Sequence, residues 1–202
     1  MMAMPIPYES TGRTSQKSRT RQALIDATRE LLTEGQTPRV EDSAAHSGIS
    51  RTTAYRYFPN QRALLLAAQP RLQPDTLLDE TAPAEPRARL AAFMVAFTHY
   101  NLSYEPQLRS ALRLSLDDPA EEDRPLLRRG RAIGWIEDAL APLAATHPGV
   151  DRPELAVAIR SATGIESLVW LLDIAGRTRE QAAATVHRTA LALLDAAMNE
   201  SA

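Results

Sequence analysis

The sequence predicts an all-helical protein with a small N-terminal unit and a larger C-terminal one. Three observations lead there. Apolar residues recur at helical spacing from about Ser18 onward, strand-like alternation of β-branched residues is missing, and prolines punctuate the chain between helix-length segments. At 202 residues and 44% hydrophobic, the chain can bury a sizeable core without a disulfide or structural metal. No fixed-period repeat suggests a solenoid.

Met1 to Lys17 holds Pro5, Pro7 and Gly12 with little apolar periodicity, and reads as a flexible basic arm. From Ser18, Leu24, Ala27, Thr28, Leu31 and Leu32 fall on one helical face, and Gly35 offers a stop with positive φ. Pro38 precedes a short helix from Val40 to Ser47. Gly48-Ile49 then turns the chain into a second short helix, Ser50 to Tyr57, closed by Pro59-Asn60. A fourth helix runs to about Gln69. Beyond Pro70, Pro74, Pro83 and Pro86, helices are expected near 86–103, 106–117, 124–146, 152–175 and 178–200. The divisions are thus an arm (1–17), a helix-turn-helix unit (18–66) and a helical body (67–202).

Charge is unevenly spread. Residues 1–62 carry nine of the 23 basic and six of the 25 acidic residues, so a basic head precedes an acidic body. A local positive excess suits a phosphate backbone, though a modest one also describes many solvated surfaces. The absence of cysteine excludes thiol nucleophiles, thiolate metal sites and disulfides. The four histidines, His46, His99, His147 and His187, form no metal-binding or HExxH spacing, and no nucleophile elbow or phosphate-loop glycine pattern occurs. An enzyme is therefore not expected, nor a cofactor or metal. No leader opens the chain, and the longest apolar run, Leu168–Leu172, ends at Asp173. The expectation is a cytoplasmic protein without a membrane partner.

The segment Gly48 to Phe58, GISRTTAYRYF, carries the strongest signal. Gly48 suits the left-handed turn between two crossed helices, and Ser50 can cap the next helix by accepting from the Thr53 amide. With residues 100° apart and Ala54 facing the core, Phe58 lies beside it, while Thr52 and Arg56 point away, flanked by Arg51, Thr53 and Tyr55. That outer face suits a DNA major groove: arginine can read guanine bidentately, and hydroxyls can bond phosphates. Packing in the small core is the alternative role for Tyr57 and Phe58. Arg13, Lys17, Arg19 and Arg21 could follow a DNA backbone or remain solvated.

Gly48-Ile49-Ser50, Thr53, Tyr55, Tyr57-Phe58-Pro59 and Ala63-Leu64 together resemble the N-terminal signature of the TetR family of transcriptional regulators, over roughly residues 18–66. The resemblance implies that Thr53, Tyr55 and Tyr57 contact phosphates or the groove wall, and that Arg51 and Thr52 sit near base edges. Arg39, just before the second helix, would reach the backbone. Three positions depart from the pattern: Ser43 where an aliphatic residue is usual, Ser47 in place of alanine, and Gln61 in place of a phosphate-binding lysine. Arg62, next door, is the candidate replacement for that lysine. The expected DNA-binding set is therefore Arg39, Ser50, Arg51, Thr52, Thr53, Tyr55, Arg56, Tyr57 and Arg62.

The resemblance also implies a double-stranded DNA operator, a homodimer built from the last two helices and a small-molecule effector in the body. Two sequence features agree. Leu168 to Leu172 surround their helix with apolar groups, and the final helix is rich in alanine, which permits close helix approach. For the ligand, Phe93, Phe97 and Tyr100 recur at i, i+4, i+7 and could line a cavity with Trp135 and Trp170, although such a stripe also describes ordinary core. Glu166, in an apolar stretch, needs a partner: a ligand, Arg160, or an arginine across the dimer.

Overall fold

The structure, a computed structural model, describes residues 8–69, 76–116 and 131–201, with side chains over 15–69, 76–116 and 132–201. All regular structure among the described residues is helical.

The head begins with α1, Tyr8–Thr33. It starts about ten residues before the expected point near Ser18, so the described part of the expected arm is helical; residues 1–7 and the Arg13 side chain lie outside the described residues. Periodicity gave no sign of this because residues 15–19 are exposed. Local bonds tie this stretch: Arg19 Nη2 donates to Ser15 Oγ at 3.2 Å and Thr20 Oγ1 to the Gln16 carbonyl at 3.0 Å. Burial starts at Leu24 and Ile25. The helix closes at Gly35, φ +82°, where the Gln36 amide reaches back to the Leu31 carbonyl and satisfies an orphan acceptor.

Three short helices follow: α2 (Val40–His46), α3 (Arg51–Tyr57) and α4 (Gln61–Ala68). Leu24, Ile25, Val40, Ala44, Ala54, Phe58 and Leu64 form their shared core, all at most 2% exposed. Ser43 is fully buried there as well. Its hydroxyl lies 2.9 Å from Thr28 Oγ1, which itself donates to the Leu24 carbonyl. The departure at Ser43 is therefore one half of a buried hydroxyl pair, whose other half is Thr28 on α1. Ser43→Ala is expected to cost about 0.5–1.5 kcal/mol in urea unfolding, and Ser43→Ala with Thr28→Val less than the sum of the two single changes, because Thr28→Val alone strands the Ser43 hydroxyl while Thr28 keeps its bond to Leu24 when Ser43 is removed.

The body contains α5 (Pro86–Ser103), α6 (Glu105–Leu116), α7 (Arg131–Ala139), α8 (Leu143–Thr146), α9 (Arg152–Thr163), α10 (Ile165–Val169), a π-helical turn (Trp170–Ile174) and α11 (Arg179–Glu200). Glu85 caps α5 by accepting from the Arg87 and Ala88 amides, and Thr178 and Gln181 cap α11 reciprocally. The core lies between α5, α7, α9, α10 and α11, with Phe93, Met94, Ile136, Leu140, Ile159, Leu168 and Leu194 fully buried.

Two expected helices are broken. The segment read as 124–146 is described from Arg131 and divides into α7 and α8 at Pro142, which has no amide to donate and clashes with the preceding turn. The segment read as 152–175 divides at Gly164, whose backbone is extended at φ −74°, ψ −173°. Across that glycine the Arg160 guanidinium meets the Glu166 carboxylate at 3.0 Å, in space a Cβ would occupy. Arg152–Ile174 is long and apolar enough to cross a membrane by length and composition. Here it is interrupted at Gly164, and Leu155, Ile159 and Leu168 bury one side in the body core.

α6 joins head and body. Leu114 packs with Leu32, Leu65 and Ala68, while Arg113 Nη1 donates to Thr37 Oγ1 at 3.3 Å. Nearer its start, Arg109 pairs with Glu105 at 2.8 Å and bidentately with Asp173 of the π turn, and Arg179 of α11 closes on Glu105 at 2.6 Å. The Asp173 hydrogen bonds push the Arg109 pKa up, and the same bonds hold the Asp173 carboxyl down, so both stay charged.

Candidate nucleic-acid interface

The turn before α3 is set by Gly48, at φ +66°, with the Gly48 amide bonded to the Ala45 carbonyl and the Ile49 amide to the Ala44 carbonyl. Ser50 then caps α3: its Oγ accepts from the Thr53 amide at 3.2 Å and donates to Thr53 Oγ1 at 2.9 Å. Ala54 and Phe58 face inward, at 0% and 2% exposed. That inward pair fixes the opposite face outward, so Arg51, Thr52, Tyr55 and Arg56 are exposed and Thr53 is half-buried. Tyr57, also half-buried, packs against the head core.

Two contacts order this outer face. Arg51 lies over the Tyr55 ring at 5.6 Å, and the Tyr55 hydroxyl donates to Glu41 Oε2 of α2 at 2.6 Å. That bond holds the Glu41 carboxyl below its ordinary range and raises the Tyr55 phenol. The pair brings together residues fourteen apart across the helix-turn-helix, a tertiary relation that no local pattern announces.

Arg39 is exposed at the start of α2, and its amide donates to Asp42 Oδ2 at 2.8 Å. Lys17, Arg19 and Arg21 are exposed along α1, with Arg21 over the Phe58 ring at 5.2 Å. The expectation for Arg62 is corrected. Its Nη1 donates to the Leu114 carbonyl at 3.1 Å, so the side chain is engaged at the junction with α6. An unpaired carbonyl near the end of α6 attracts a guanidinium. Gln61 is likewise engaged: its Nε2 donates to the carbonyls of Thr37 and Pro38, at 3.3 and 3.0 Å, and steadies the loop before α2.

The six residues expected to line a ligand cavity do not assemble as one group. Phe93 and Phe97 stack at 5.4 Å, and Tyr100 meets the edge of Trp135 at 5.5 Å, all between α5 and α7. Glu166 and Trp170 lie elsewhere, along an open groove of about 350 Å³ with Ala162, Ser167, Leu171, Thr185, Val186 and Thr189. Trp170 is 57% exposed and Glu166 is paired with Arg160 within the chain. The break at Gly164 and the π turn redirect this stretch, which a continuous helix would have placed differently.

Solved structures superpose on this chain over most of its length and share its all-helical fold. A putative transcriptional regulator from Pseudomonas aeruginosa PAO1 matches with a TM-score of 0.61 and 18% identity, covering 92% of this chain and 95% of that one. A TetR transcriptional regulator from Rhodococcus sp. RHA1 matches with a TM-score of 0.57 and 17% identity, over 89% and 97%. The SmeT–triclosan complex matches with a TM-score of 0.51 and 16% identity, over 86% and 90%. No family model matches the chain, and no curated protein does.

Proposed function

We propose that this chain is a TetR-family transcriptional regulator that binds a near-palindromic operator as a homodimer and is released from it by a small molecule. The observation that carries the reading is α3 itself. Its inner face is locked by Ala54 and Phe58, and its outer face presents Arg51, Thr52 and Arg56 to solvent beside an ordered Tyr55. A short rigid helix bearing guanidinium and hydroxyl groups suits insertion into a major groove.

The dimer reading draws on the apolar residues that the body leaves exposed near its C-terminal helices: Val157, Trp170 and Ile174. A second copy packed on α9 to α11 would cover them. The effector reading draws on the ligand complex among the structural neighbours. If a ligand favours a conformation in which the two recognition helices no longer fit successive major grooves, DNA and ligand weaken each other by the same factor. No covalent step is required.

A division of labour on α3 follows. Thr53→Ala with Tyr55→Phe is expected to weaken binding to all duplexes alike, whereas Thr52→Ala or Arg56→Ala shifts the preferred bases, each at a cost of about 1–3 kcal/mol in discrimination. Randomised-site selection measures this, and unchanged base preferences in all the variants would refute the assignment. With Gln61 and Arg62 both engaged by backbone carbonyls, the salt dependence is expected to lack one phosphate contact at this end of the head.

A further inference from the structure

Tyr55 leaves the outer face of α3 and is 36% exposed, so its hydroxyl, at the far end of the ring, marks the surface of the head. That hydroxyl meets Glu41 Oε2 at 2.6 Å. A half-buried carboxylate from the first turn of α2 therefore stands beside α3, next to the ring that Arg51 overlies. Its neighbour Asp42 is used differently, accepting the Arg39 amide at 2.8 Å.

The Tyr55 bond, the residue's own amide and the charges of Arg51 and Arg39 hold the Glu41 carboxyl below its ordinary range, so it is an anion at neutral pH. On a surface that meets phosphates, an anion repels the backbone and adds no affinity. A base edge is another matter. A carboxylate only accepts, with about four lone-pair sites on its two oxygens, and Tyr55 and the Glu41 amide take only some of them. In the major groove guanine presents acceptors and thymine an acceptor and a methyl group. Adenine sets its amino group beside the N7 acceptor, which repels a carboxylate. Cytosine presents the N4 amino group alone.

We propose that Glu41 is a specificity-determining residue of the DNA interface, accepting a hydrogen bond from the N4 amino group of one cytosine in each half-site. The reading surface then extends from α3 onto the start of α2, where Arg39 is exposed. The nearby guanidinium groups of Arg39 and Arg51 offset the repulsion between this carboxylate and the flanking phosphates. The inference rests on the regulator reading, which supplies the duplex.

The test takes the full chain and its Glu41→Gln and Glu41→Ala variants through randomised-site selection. Anisotropy then compares the duplex recovered with the wild type, copies of it with single base-pair changes, and a scrambled duplex. The wild type is expected to select a C·G pair at one position of each half-site and to bind tenfold or more weakly when that pair becomes T·A. Glu41→Gln keeps an acceptor for the Tyr55 hydroxyl but presents an amide, which fits adenine N6 and N7. It is expected to lose the cytosine preference, retain the preferences at other positions and bind the scrambled duplex more tightly, because an anion has left the interface. Glu41→Ala is expected to lose the same preference without gaining one for adenine. A cytosine preference that survives in Glu41→Gln, a loss of preference at all positions alike in that variant, or weaker binding of the scrambled duplex would each overturn the proposal, since a purely structural tie to Tyr55 predicts those results. A wild-type chain that selects no site would refute the regulator reading as well, whereas a selected site indifferent to residue 41 refutes this inference alone.

Discussion

Phe93→Ala is expected to destabilise the body by about 3–5 kcal/mol, the largest effect of any single truncation considered for this chain. Phe93 is fully buried on α5, stacks on Phe97 and lies in the cluster shared by α5, α7, α9 and α11. The lost transfer free energy and the cavity left behind add together. α5 is held along this buried face by α11 as well, with His187 Nε2 2.9 Å from the Met94 carbonyl and 3.1 Å from Thr98 Oγ1. Those contacts limit how far the helix can move to fill the void. For a chain of this size the melting temperature should fall by roughly 2–4 °C for each kcal/mol. Phe93→Leu keeps most of the volume and should lose less than half as much. Calorimetry on the two variants checks both the magnitude and the order, and a Phe93→Ala loss below about 1 kcal/mol would contradict the packing described.

Gly48→Val should strike the head instead. At φ +66° a side chain costs about 1–2 kcal/mol, and a β-branched one suits that region least. A Cβ at Gly48 meets no neighbouring atom, so the cost arises from the backbone alone. Relief requires the turn to open, which would shift α3 relative to α2 and strain the Tyr55–Glu41 hydrogen bond. DNA affinity should therefore fall more than tenfold while the body melts as before. Gly48→Asn, which tolerates the left-handed region better, should recover much of the loss. Equal DNA affinity in the wild type and Gly48→Val would show that the turn does not position the interface.

The difference between these two sites also marks what the sequence discloses. The turn was legible because its determinants are local: one glycine, one capping serine and an Ala54–Phe58 inner face four residues apart, all found where spacing placed them. The α5 helix was legible for the same reason, with a capping Glu85 and Pro86 at its start. Groups whose roles depend on distant partners were not. Ser43 looked like a departure from a pattern until Thr28 was found beside it, and Arg62 looked like a phosphate ligand until the Leu114 carbonyl claimed it. Glu166 and Trp170 line a groove apart from Phe93, Phe97, Tyr100 and Trp135, and between the two groups the chain breaks at Gly164, where an ion pair excludes a Cβ and the backbone extends. Pro142, by contrast, is a local signal, and it interrupts the helix that spacing alone extends to 146.

The central claim, that the outer face of α3 reads DNA, is tested most directly by fluorescence anisotropy. The full chain would be titrated against the duplex upstream of its own coding sequence and against a scrambled duplex, at several salt concentrations. Saturable binding to the first, at least a hundredfold tighter than to the second, with affinity falling steeply as salt rises, is the predicted result. Equal, weak and nearly salt-independent binding to both, repeated with duplexes recovered by randomised-site selection, would contradict it and favour a helical dimer that binds protein partners.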